Sequence, residues 1–166
     1  MLGTKLVKEW LCMNPKLITV KQMNVVGLEI RTTNRDEMSP ATAKIPGVWG
    51  RFHQEGLMER IPGRKSDCAP IGVYSKYETD HTGPYSLLAG VETSSPDIPT
   101  GMAGVTVLEG RYLVFPVHGP MPQALTKTWI AIWDYFSKGL KYRRAYTTDF
   151  ELYRGQDTVD IHIAVK

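Results

Sequence analysis

Glu151 is the residue of this chain best placed to do chemistry. It lies in the aromatic stretch Thr148–Tyr153, which reads as a central strand. A carboxylate on such a strand must find a cationic partner or be neutralised by a raised pKa. A bound organic cation would serve as that partner. So would Arg143, Arg144 or Lys76 on a neighbouring strand, and a strand turned the other way would point Glu151 at solvent. Six aromatic residues, Trp49, Trp133, Tyr74, Tyr112, Tyr146 and Tyr153, fall on segments that can face a common cleft with it. Aromatic faces attract desolvated cations, and phenol hydroxyls can hold a carboxylate in place. The combination of one strand acid with aromatic walls is the chemistry of cation binding.

Other chemistries have less material. His53, His81, His118 and His162 show no HxH, HxxxH or HExxH spacing, so no metal centre is expected. No GxSxG elbow, P-loop or GxGxxG appears, and neither Ser86 nor Cys68 has a neighbouring base, so no cofactor and no covalent catalysis are expected. The basic run Lys138–Arg144 reads as a solvated loop complementing a helix C-terminus. A balance of 20 Lys and Arg against 17 Asp and Glu is too mild for a dedicated polyanion binder. With no helix-turn-helix segment in sight, direct nucleic-acid binding is not expected.

The elements that must position Glu151 carry an internal duplication. Ala41, Ile45, Val48, Trp49 and Phe52 recur 84 residues later as Leu125, Trp129, Ile132, Trp133 and Phe136. The spacing i, i+4, i+7, i+8, i+11 puts each set on one stripe of an α-helix, so each helix has a face to bury. Tyr74–Tyr77 can be laid over Phe150–Tyr153, which sets Glu151 on Ser75 and leaves one acid where a pseudo-symmetric core would take a neutral group.

Around the helices the pattern is strand-like. Leu17–Arg31 and Gly104–Val117 are strand candidates with Gly27 and Gly110 as expected bulges. Ser39–Pro40 is expected to open the first helix, and Pro46–Gly47 inside it predicts a kink or a displaced first turn, hence a soft helix. Asn34–Ser39 is mostly polar, and Glu55–Pro70 reads as a long surface loop with room for one helical turn. Ile71–Tyr77 and Tyr85–Thr93 form a hairpin, and Thr93–Thr100 links the two halves. In the second half Pro122 opens a helix that Gly139 closes. Arg144–Tyr153 and Thr158–Val165 make the last hairpin, the latter alternating so that one face is packed. The expectation is an α+β domain over residues 1–166. Two strand-helix-strand-strand repeats, at about 17–93 and 103–165, share one curved antiparallel sheet with both helices on one face and a central cleft.

Composition sets the remaining bounds. A chain of 166 residues, 42% hydrophobic and 22% charged, can bury a core. Cys12 and Cys68 belong to no CxxC or Cys/His cluster and read as free thiols of a reducing compartment. The N-terminal stretch Met1–Leu17 holds an acid and a proline and no apolar h-region, and no segment approaches the roughly 18 apolar residues of a spanning helix. A soluble, cytoplasmic protein without membrane contact is expected.

The succession Ile71–Tyr74, Gly101–Met102, Glu109–Gly119, Trp129–Phe136, Asp149–Tyr153 and Val159–Val165 resembles the gyrase-inhibitor-like small-molecule-binding domain. This is also the effector-binding domain of AraC-type and multidrug-responsive transcription regulators. The resemblance covers Leu17 to Val165. It implies a tandem strand-helix-strand-strand fold that binds hydrophobic, often cationic molecules in its cleft, with the acid of the penultimate strand, here Glu151, contacting the cation. The DNA-binding domain of the regulators has no counterpart in this sequence, and stand-alone members include ones carried on mobile integron gene cassettes. The expected function is therefore a bacterial binding module for amphipathic aromatic cations, an accessory to transcription regulation or drug response. It is not primarily an enzyme. Two rivals remain: a small-molecule hydrolase with Glu151 as general base, and an interaction protein that shields a macromolecular partner such as gyrase.

Overall fold

The computed structural model of the chain describes residues 13–166. The N-terminal stretch read for a secretion signal, up to residue 12, and Cys12 lie outside the described residues. The elements are β1 (Lys16–Val20), β2 (Met23–Thr32), a short α1 (Asn34–Glu37), α2 (Ile45–Gln54), a 3-10 turn (Leu57–Arg60), β3 (Ile71–Ser75), β4 (Tyr85–Thr93), β5 (Ala103–Val107), β6 (Gly110–His118), α3 (Gln123–Ser137), β7 (Asp149–Gly155) and β8 (Thr158–Ala164). All eight strands form one open antiparallel sheet in the order β1-β6-β8-β7-β3-β4-β2-β5. Exchanging β1 with β5, β2 with β6, β3 with β7 and β4 with β8 reverses that order onto itself, so a pseudo-two-fold axis passes between β3 and β7. The fold class is the α+β architecture expected, with three helices rather than two.

Each of the two long strand candidates is broken in the middle, at Lys21–Gln22 and at Leu108–Glu109. The pieces then part company: β1 pairs with β6 of the other half, and β5 pairs with β2. The expected bulge at Gly27 is not formed. Gly27 sits in regular register opposite Gly90, and a Cβ there would come 1.9 Å from the Ala89 carbonyl oxygen, so the position needs glycine for close backbone approach. Gly110 is simply the first residue of β6, opposite Val20.

The first helix starts later than its apolar stripe suggested. Ser39–Ala43 is a turn, with Thr42 and Ala43 N–H bonding back to Ser39 O, and α2 begins at Ile45 with Pro46 in its first turn. There the missing N–H costs nothing, which resolves the expected fault as a displaced start. Glu37 caps this end: its carboxylate accepts from Lys44 N at 2.9 Å and Ile45 N at 3.1 Å, satisfying donors that a helix start leaves unpaired. Glu37 itself belongs to α1, a turn in the stretch read only as polar and nucleated by Thr33, whose hydroxyl accepts from Asp36 N. In the second half Gly139 does occupy the left-handed region (φ 60°) just past α3.

Strand alternation divides the core by face. Val26, Leu28, Leu87, Ala89 and Val91 meet Val48 and Phe52 of α2, while Leu113, Phe115, Val117, Val159, Ile161 and Ile163 meet Ile132 of α3. Trp129 belongs to both clusters, so both helices cover the same face. The other face is packed as well. Val25, Val73, Leu88, Val107, Tyr112 and Phe150 are buried there, joined by Ile18 and Val20 of β1 and Ala103 and Val105 of β5. The last strand, expected to have one packed face, thus has two: His162 and Ala164 are buried on the second face, with the His162 ring stacked 4.1 Å from Phe150. Among the described residues no helix is long and apolar enough to cross a membrane.

Candidate functional site

Glu151 stands on β7 opposite Gly72 of β3, at the pseudo-two-fold axis and on the helix-bearing face. The strand registers superpose β3 on β7 with Gly72 falling on Glu151 and Tyr74 on Tyr153. This corrects the superposition of Glu151 on Ser75. The asymmetry at the centre is a glutamate against a glycine. Space is tight there: a Cβ on residue 72 would lie 3.3 Å from Glu151 Oε2 and 3.2 Å from Trp49 Cζ2, so those side chains would have to give by a few tenths of an ångström.

The two symmetry-related tyrosines converge on this single acid. Tyr74 O–H donates to Oε1 and Tyr153 O–H to Oε2, each at 2.7 Å, and Trp129 Nε1–H donates to Oε1, also at 2.7 Å. The indoles repeat the pairing: Trp129 lies edge-on to Tyr74 and Trp49 edge-on to Tyr153, both at 5.0 Å. In space Trp49 thus corresponds to Trp129, one helical turn from the Trp133 that the sequence repeat matched to it. The Nε1 of Trp49 is buried and finds no acceptor among the described residues, because the position that would supply its carboxylate is Gly72.

Burial pushes the Glu151 carboxyl above its usual range, and the hydrogen bonds from Tyr153, Tyr74 and Trp129 work in the opposite direction by favouring the anion. Burial and the charge of Glu151 push the hydroxyls of Tyr74 and Tyr153 well above the usual phenol range, which keeps both as donors. Among the described residues no cationic side chain forms a salt bridge with Glu151. Arg144 pairs with Asp149 at 2.7 Å and Lys76 with Glu29 at 2.7 Å. Glu151 is 1% exposed, which rules out the solvent-facing orientation.

A cavity of about 260 Å³ opens beside the carboxylate. Tyr74, Tyr77, Tyr85, Trp129, Trp133 and Glu151 line it together with Ile45 and Pro46 of α2, Leu125 of α3, Glu37, His81 and Arg144. The volume is near the lower end of the roughly 300–1,000 Å³ usual for small-molecule sites. A larger hollow of about 400 Å³ on the other face of the sheet holds Cys68 and Phe150, but its charged residues Lys65, Asp67 and Glu92 are exposed, so it has no buried charge to recognise a ligand.

Of the residues singled out by sequence, Glu151, Tyr74 and Trp133 line the cavity, and Tyr153 holds the carboxylate from behind. Trp49 packs behind the site rather than in its wall. Tyr112 is a correction: alternation sends Leu113, Phe115 and Val117 toward α3, so Tyr112 points to the opposite face, where its O–H donates to Leu108 O at 2.7 Å. Tyr146 is also outside the wall, stacked 4.4 Å over the Arg144 guanidinium. Sequence reasoning passed over Trp129, Tyr77 and Tyr85. Trp129 was on the identified helical stripe, one turn before Trp133, and that stripe was the signal available.

At the cavity wall lies a buried charge pair. Asp149 Oδ2 accepts from Arg144 Nη2 at 2.7 Å and from Tyr77 O–H at 2.6 Å, and Oδ1 accepts from Ala164 N at 2.8 Å. Burial works against the Arg144 charge, but Asp149 beside it more than offsets this and holds the guanidinium pKa above its usual value. The neighbouring acid of the same strand, not Glu151, is thus the partner of Arg144.

The open antiparallel sheet with two helices on one face is the fold of an effector-binding family. Residues 16–165 match the family model of Cass2, the integron-associated effector binding protein, and the chain belongs to that family. An integron cassette protein from the mobile metagenome of Vibrio cholerae is 37% identical, with a TM-score of 0.79 over 92% of this chain and 95% of the other. The regulator-like protein YobU of Bacillus subtilis (strain 168) is 29% identical over 84% of this chain and 90% of its own length. The structure of SAV2435 bound to tetraphenylphosphonium shares the fold at 21% identity, with a TM-score of 0.74 over 93% of this chain and 94% of that one.

Proposed function

We propose that this protein is a cytoplasmic binding module for amphipathic aromatic cations, taken into the cavity beside Glu151. The observation that carries the proposal is a buried carboxylate on a cavity wall with aromatic neighbours, three donors and no cationic partner among the described residues. Ionised, that carboxylate has four lone-pair sites, of which three are used, and a charge that nothing in the wall neutralises. A ligand cation supplies the missing charge, and the faces of Tyr74, Trp129 and Trp133 supply the desolvated surface that makes cation–π attraction worth having. A cationic ligand in a relative of the same fold supports the reading. The likeness of YobU to regulators supports a place for such binding in the control of transcription.

The test is a matched series of aromatic ligands read by thermal shift and by quenching of tryptophan fluorescence, since Trp129 and Trp133 are in the wall. Cations should raise the melting temperature and quench; neutral isosteres of the same shape should do so less. Equal responses to cationic, neutral and anionic members would refute the charge pairing. Turnover of an ester substrate that disappears in Glu151→Gln would replace binding by hydrolysis.

A further inference from the structure

Arg144 is buried on the wall of the same cavity, with its side chain 3% exposed. Its Nη2 is engaged, donating to Asp149 at 2.7 Å and to the Tyr77 hydroxyl oxygen at 3.3 Å. Its Nε and Nη1 are buried and have no acceptor among the described residues. Leaving guanidinium donors unpaired in a dry site is costly, and buried donors in native proteins are nearly always satisfied. The plane of the group is nevertheless held. The Tyr146 ring lies 4.4 Å from Cζ and the Tyr77 ring 5.6 Å from it. Tyr146 makes its contact from a left-handed backbone conformation, φ 52°, which a tyrosine adopts only against a steric penalty. Two donor nitrogens without an acceptor, on a side chain held between two rings at the cavity wall, leave Arg144 with hydrogen-bonding capacity to spare for a ligand.

Charge selects the kind of acceptor. The Arg144–Asp149 pair is neutral in sum, and the Glu37 carboxylate, which also lines the cavity, is occupied by Thr32 O–H and the N–H groups of Lys44 and Ile45. Glu37 has the positive end of α2 beside it, whereas Glu151 has only neutral donors, so Glu151 is the acid that a ligand cation offsets. A ligand carboxylate would add a charge beside two acids, whereas a neutral carbonyl oxygen uses the free donors without disturbing the balance. We infer that Arg144 is a second recognition group of this cavity and that the cations it takes carry a carbonyl-type hydrogen-bond acceptor. This rests on the cation-binding reading above and narrows it to a ligand class.

Three permanently charged probes separate the two claims: tetraphenylphosphonium, and the tetraarylphosphonium ions with one ring bearing an acetyl group or an isosteric isopropyl group. Calorimetric titration of the unaltered protein should show the acetyl ion binding about tenfold more tightly than the isopropyl ion, as expected for one hydrogen bond to a charged donor. Arg144→Lys keeps a charge beside Asp149 but lacks the planar fork, so it should erase that ratio, whatever it does to the affinity for both ions together. Should Arg144→Lys not fold, the Arg144 Nε–H resonance of the unaltered protein gives the same answer: it shifts on adding the acetyl ion and not the isopropyl ion. Equal affinities for the two ions, an Nε–H resonance indifferent to both, or a ratio that survives in Arg144→Lys would each overturn the inference. Failure of all three probes to bind would instead refute the cation-binding reading itself.

Discussion

At the residue scale the buried carboxyl group of Glu151 is subject to opposed influences. Burial favours the neutral acid; Tyr153, Tyr74 and Trp129 favour the anion, and the balance leaves the pKa raised. An acid whose folded pKa exceeds its unfolded value holds more protons in the native state, so stability of the free protein is lost as pH climbs from the unfolded value through the folded one. Cation affinity must run the other way, rising as the carboxyl ionises. Melting temperature and binding titrated over the acid range should therefore have opposite slopes between those two pKa values, and parallel slopes would remove Glu151 from both. Removing one donor, in Tyr153→Phe, should move both midpoints to higher pH. Glu151→Gln should weaken binding of an aromatic cation by about 2–4 kcal/mol, the cost of deleting one member of a desolvated charge pair, while the melting temperature holds or rises. Unfolding of that variant would make Glu151 structural instead. Glu151 was legible in the sequence because a charge among aromatic strand residues is a local anomaly. Tyr112 was misread because strand phase decides the face a residue takes, and a shift of one position reverses it.

At the element scale, what was legible followed periodicity, and what was not depended on partners. The stripes of α2 and α3 and the hairpin strands could be read directly. The breaks at Lys21–Gln22 and Leu108–Glu109 could not, because β-compatible residues run through both and only the pairing of β1 with β6 and β5 with β2 demands them. The match of Trp49 to Trp133 rather than Trp129 has a similar origin, since residues four apart share one helical stripe and sequence alone cannot choose between them. Two glycines separate close approach from mere permissiveness. Gly27→Ala forces a methyl group to 1.9 Å from a backbone oxygen and should destabilise by about 3 kcal/mol or more, read as a fall in denaturation midpoint. Gly47→Ala, in α2 with nothing within 4 Å of the new Cβ, should instead stabilise by about 0.5–1 kcal/mol through helix propensity. A neutral Gly27→Ala would mean that the β2–β4 approach relaxes freely.

At the scale of the whole molecule the pseudo-symmetry is an exchange as well as a repetition. Each half lends a short strand to the other: β1 reaches across to β6, and β5 reaches back to β2. The site is shared in the same way, since Glu151 and Trp129 come from the second half and Tyr74 from the first. Neither half therefore completes its sheet or its carboxylate cage alone. Cutting the chain between Asp97 and Ile98, in the linker ahead of β5, should give two fragments that lack a cooperative thermal transition when separate. The first would leave β1 with no partner and the β3 edge open; the second would leave β5 unpaired and Glu151 without Tyr74. Mixed, the fragments should restore the circular dichroism of the intact chain and melt at a temperature that rises with concentration, because association and folding are then one equilibrium. The mixture should also regain the quenching of Trp129 and Trp133 by an aromatic cation, since only the joined halves build the cavity. A fragment that melts cooperatively alone would show that the exchanged strands are ornaments on two self-sufficient halves; a refolded mixture without quenching would separate the cavity from the fold.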